Sequence, residues 1–110
     1  MRIIETIGTE AVLEQLAEES AELAQAALKL ARKMRGVNPT PKEEDECWDN
    51  LIEEMADVQV CWEQLDLGFG VRKVIHDIAQ EKTERWARRL AAKEDTVYAN
   101  DCLLYTSDAA

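Results

Sequence analysis

The residues best suited to chemistry in this chain are carboxylates, and they fall in a pattern that occurs twice. Glu18-Glu19-Ser20-Ala21-Glu22-Leu23 matches Glu53-Glu54-Met55-Ala56-Asp57-Val58, an offset of 35 residues from position 18 to position 53. Carboxylates at i and i+3 share one helix face. At about 100° per residue, Glu19 lies about 60° from Leu16 and about 40° from Leu23, at the edge of an apolar stripe, with Glu22 one step further out. Glu54 and Asp57 hold the same offsets from Leu51 and Val58, whereas Glu18 and Glu53 point away. Two such pairs facing each other gather four negative groups, which is unfavourable unless a cation neutralises them. Four carboxylates without an imidazole suit a hard cation, magnesium or manganese. A di-iron carboxylate bundle would use Glu-x-x-His pairs, and His76 has no glutamate three residues before it.

The elements that must position these groups are helices. The first is expected from about Thr9 to about Arg35, with Thr9 as its N-cap after Gly8 and Gly36 as its stop. Val12, Leu16, Leu23, Ala27, Leu30 and Met34 recur along it at helical spacing. The loop Gly36-Val37-Asn38-Pro39 leads to a capping box in which Thr40 caps, Pro41 opens the helix and Glu43 follows three residues on. Trp48, Leu51, Met55, Val58, Trp62 and Leu65 make the second stripe, which Gly68 to Gly70 ends. A third helix begins near Val71 and fades around Glu94, with Val71, Ile75 and Ile78 facing inward. No segment alternates with period two for long enough to be a strand. The expected fold is all-α: an antiparallel bundle of three long helices, completed by homo-oligomerisation as a homodimer or homotetramer.

A length check tests whether the carboxylate pairs can meet. From the Glu19–Glu22 midpoint to the end of the first helix is roughly 14 residues, about 22 Å, and from the start of the second to the Glu54–Asp57 midpoint is about 20 Å. An antiparallel hairpin therefore puts both pairs at one height. Counting down the second helix and back up the third reaches Lys82 at the same level. Lys82, Arg85 and Arg89 continue the inward face of the third helix with Trp86 beside them; Lys82 and Arg85 read as phosphate ligands or carboxylate partners, and Arg89 equally as a snorkelling side chain at the end of the stripe. Trp48 and Trp62 could stack on a base, but their place on the apolar stripe makes core packing the expected role.

Composition narrows the partners. The 110 residues suffice for one domain. Aspartate and glutamate number 23 against 13 lysines and arginines, a formal charge of −10 that disfavours polynucleotides and anionic membranes. No apolar run approaches the roughly 20 residues of a membrane span, and Met1-Arg2-Ile3-Ile4-Glu5 is not a signal peptide, so a cytoplasmic protein is expected. Cys47 and Cys61 have neither disulfide nor zinc-site spacing. The domain is read as residues 1–101. Residues 102–110, Cys102-Leu103-Leu104-Tyr105-Thr106-Ser107-Asp108-Ala109-Ala110, look like a translated sequencing-library adapter, or else a disordered tail. The adapter reading implies a metagenomic frame with its natural C-terminus elsewhere.

With these motifs the chain resembles the MazG-like, all-α nucleoside triphosphate pyrophosphohydrolases. Their signature, Glu-Glu-x-x-Glu followed after a helix–loop–helix gap by Glu-x-x-Asp, stands here as Glu18-Glu19-Ser20-Ala21-Glu22 and Glu54-Met55-Ala56-Asp57. The likeness runs from about Ile4 to about Lys93, and the 31 residues between Glu22 and Glu54 make a long gap for the family. The resemblance implies magnesium-dependent hydrolysis of a deoxy or non-canonical nucleoside triphosphate to monophosphate and pyrophosphate. It gives Glu19, Glu22, Glu54 and Asp57 to the metal, and Lys82 and Arg85, with Arg89 on the same stripe, to the triphosphate. The rival expectation is a non-catalytic helical assembly or nucleotide-binding module whose acidic faces are merely soluble. Metal dependence separates the two, since a site that binds cation only when folded stabilises the fold by mass action.

Overall fold

The computed structural model describes residues 2–36 and 43–99, with side chains as far as Glu94. Among them are four helices and no strand: α1 (Ile3–Ile7), α2 (Thr9–Arg35), α3 (Glu44–Phe69) and α4 (Arg72–Ala99). No described helix is long and apolar enough to cross a membrane. The chain divides into two compact units, Met1–Val71 and Arg72–Ala110.

In the first unit α2 and α3 pack along each other, and α1 packs against both. The pairing is antiparallel: the start of the chain meets the end of α3, while the middle of α2 meets the middle of α3. Arg2 donates from its guanidinium to the Leu67 carbonyl at 3.0 Å, and the Ile4 amide donates to the Gln64 side-chain oxygen at 3.1 Å. Ile4 is buried against Gly68, where a Cβ would come within 3.1 Å of its Cδ1. Gly68 therefore lies inside the last turn of α3 as the seat for Ile4, and the helix ends within the expected Gly68–Gly70 segment, at Phe69, with Gly70 as its left-handed cap at φ +65°. Gly8, at φ +91°, breaks α1 from α2 in a backbone conformation that side chains other than hydrogen rarely adopt. The short α1 was not expected, and Thr9 is not a cap: it is the first residue of α2, and the cap position, Gly8, makes no side-chain bond. Gly36 ends α2 as expected, in the left-handed region at φ +68°.

Thr40 and Pro41, the expected start of the second helix, lie outside the described residues. Glu43 is extended, at φ −71° and ψ 161°, and stands at the N-cap position of α3 with no side-chain cap bond, where it was expected to lie inside the helix.

The core of this hairpin follows a seven-residue repeat. On α2, Val12 and Ala26 are buried, with Glu19 half-buried midway between them. On α3, Cys47 and Cys61 are buried, with Glu54 half-buried midway. Leu30 completes the buried set, and Leu16, Leu23, Leu51 and Val58 are half-buried. Several expected stripe residues are displaced from this seam. Ala27 is exposed in favour of Ala26, and Met34, Trp48 and Met55 are exposed at 59%, 42% and 55%.

The second unit is built on α4, which continues through Ala99 rather than fading at Glu94. Val74, Ile75 and Ile78, read from the sequence as facing inward or apolar, are 59%, 45% and 47% exposed.

Candidate metal centre

Glu19 and Glu54 are half-buried at the margin of the seam, in keeping with the edge positions read from the sequence. Each has a buried small or sulfur-bearing residue one heptad before it and one heptad after it. Packing that buries those neighbours necessarily draws the carboxylates toward the seam. Glu22 and Asp57, three residues on, stand one turn along the same faces. The four side chains converge, each offering a carboxylate oxygen within 4.8 Å of the others.

The electrostatics of this quartet are unbalanced. Gln15 donates to Glu19 Oε1 at 2.8 Å, which steadies the side chain and on its own would lower its pKa. Burial and the charges of Glu22 and Asp57 outweigh that bond, and the Glu19 carboxyl stays above the ordinary glutamate value. Burial also raises Glu54, followed by the neighbouring carboxylates, Glu22 foremost. Glu19 Oε2 and Glu54 Oε2 are shut off from solvent and have no hydrogen-bond partner. Buried carboxylate oxygens without a donor are costly, and native structures keep few of them. Their presence on two facing helices, within one cluster of negative charge, fits a site for a positively charged partner. The donor set is all oxygen, which suits magnesium or manganese, and the spread of the four atoms is compatible with ligands of one hard cation.

Cys61 adjoins this site through the seam. Burial pushes its thiol pKa up, and the charges of Glu19 and Asp57 push it further. A thiol held protonated is neither a nucleophile nor a ligand for a hard ion, so Cys61 serves as a small apolar core residue. Cys47 and Cys61 were given no role from the sequence, although their seven-residue spacing about Glu54 marks the buried column.

Lys82 and Arg85 are exposed on α4, and Arg89 is half-buried. Together with Trp86, which is 62% exposed, they line one shallow concavity on that helix. These residues belong to the second unit. Trp62 is half-buried near the end of α3.

The chain matches no family model, no curated protein and no solved structure. The functional reading therefore rests on the geometry of the site and on the motif.

Proposed function

We propose that this protein is a magnesium-dependent hydrolase of nucleoside triphosphates, similar in kind to the MazG-like pyrophosphohydrolases, with deoxy or non-canonical nucleotides as substrates. The observation that carries this reading is the quartet itself. Glu19, Glu22, Glu54 and Asp57 meet within 4.8 Å, and two of their oxygens are buried without any partner. An acidic surface patch would keep its oxygens in water.

Glu19, Glu22, Glu54 and Asp57 hold the cation in this reading. When bound, magnesium supplies charge neutralisation for the phosphates and lowers the pKa of a water. The chain's own part is positional. Gln15 steadies Glu19, and the packed seam around Val12, Ala26, Cys47 and Cys61 fixes the two helices that carry the ligands. A quartet oxygen not engaged by the cation accepts the proton of the attacking water. Water adds at phosphorus, the bridge between the α- and β-phosphates breaks, and the products are nucleoside monophosphate and pyrophosphate. The reading rests on the carboxylates and needs no residue of α4.

The test is a panel of canonical and modified nucleoside triphosphates assayed for pyrophosphate release with magnesium. Release matched mole for mole by monophosphate supports the reading. Release of inorganic phosphate alone, or of nothing, overturns it.

A further inference from the structure

We infer that the mixed apolar and cationic face of α4 is a self-association surface, docking antiparallel on the exposed Trp48–Ile52–Met55 face of α3 in a second copy of this chain. The face of α4 changes character along its length. Val74, Ile75 and Ile78 are exposed near its start, and Lys82 and Arg85 continue the same face within about 60° of Ile78. On α3, exposed Trp48, Ile52 and Met55 lie within about 60° of Ile52, and exposed Asp45 and Asp49 share that face. Charge is complementary on a larger scale as well. Residues 43–57 hold eight acidic residues and no basic one, whereas residues 72–94 hold seven basic and four acidic.

One register satisfies both the apolar and the charged halves. Setting Ile78 opposite Ile52 in antiparallel sense places Ile75 on Met55, Lys82 at Trp48 beside Asp49, and Arg85 on Asp45. In parallel sense the same apolar match leaves Lys82 and Arg85 opposite Ala56 and Gln59, without an acid. Pairing α4 with α4 of a second copy about Ile78 sets the two cations on Val74 and Val71. An intrachain hairpin cannot reach the register either, because the two residues joining α3 and α4 would have to let α4 slide roughly 15 Å along its partner. Each copy offers one α3 face and one α4 face, so every copy can both give and receive this contact. Lys82 and Arg85 are then carboxylate partners across the interface. The proposal is independent of the hydrolase reading.

Sedimentation equilibrium of the full chain tests it. The wild type is expected to self-associate, and Asp45→Lys with Asp49→Lys should weaken the association by on the order of tenfold or more, since two attractions become repulsions. Adding Lys82→Glu and Arg85→Glu to that variant should restore it. As a second measurement, chains carrying Ile52→Cys and chains carrying Ile78→Cys, both with Cys102→Ser, should form a disulfide-linked dimer only when mixed and oxidised. A monomeric wild type, an association blind to charge reversal, failure of the swap to restore it, or no mixed disulfide overturns the proposal. So does a chain bearing both new cysteines that closes on itself at monomer mass.

Discussion

Replacing Glu54 by Gln should raise the melting temperature of the metal-free protein and abolish its response to magnesium. Glu54 is half-buried midway between Cys47 and Cys61, its Oε2 is shut off from solvent without a partner, and three other carboxylates offer oxygens within 4.8 Å. Glutamine fills the same volume, removes one of four like charges and brings an amide that can donate to a neighbouring carboxylate. The variant therefore gains stability without metal. In the wild type the order reverses on adding the cation. A ligand that binds only the folded state stabilises it by about 2.7 kcal/mol at a hundredfold excess over its dissociation constant. For a unit the size of Met1–Val71, each kcal/mol moves the midpoint by about 4–8 °C, so the wild type should rise by roughly 10–20 °C. Thermal unfolding followed by circular dichroism, with and without magnesium, gives both numbers. A Glu54→Gln protein that melts below the metal-free wild type, or gains as much from magnesium, would refute the reasoning.

Three further outcomes follow from the same structure. Glu19 and Glu54 have raised pKa values, so in the window upward from the ordinary glutamate value of 4.5 the folded state binds more protons than the unfolded one. Metal-free stability should therefore fall as pH rises through that window, and saturating magnesium should remove the fall; denaturant midpoints across pH read this directly. Leu30→Ala, at a site only 5% exposed, should cost about 2–5 kcal/mol in urea unfolding while leaving magnesium binding by the folded protein intact. Cys61, buried with its thiol pKa raised, should react with a thiol reagent far more slowly than an unstructured cysteine until the protein is unfolded, and mass spectrometry of labelled peptides resolves the two buried cysteines from Cys102.

The quartet was legible because its spacing is doubled: the same i, i+3 pair stands on two helices at matched distances from their shared loop, and helix geometry then requires them to meet. The buried column was not legible for a related reason. A half-buried carboxylate midway between two buried residues interrupts the apolar pattern, so the periodicity is captured by neighbouring large residues. Trp48 and Met55 took the place of Cys47 and Glu54, and Ala27 took the place of Ala26. The five residues of α1 are too few to show a period, and their position depends on Ile4 finding Gly68 some sixty residues away, a contact that local sequence does not encode. The same limit applies to α4. Its Val74, Ile75 and Ile78 show helical spacing, but spacing alone does not say whether an apolar face is covered within the chain or by another copy.

The central claim is that Glu19, Glu22, Glu54 and Asp57 form one divalent-cation site. Diffraction from crystals grown with manganese, recorded at wavelengths where that metal scatters anomalously, tests it most directly. The account predicts an anomalous peak between α2 and α3, at about 2.0–2.2 Å from carboxylate oxygens of the quartet, displaced by excess magnesium and lost in Glu54→Gln. Manganese bound elsewhere, with the four carboxylates free of any peak, would contradict it.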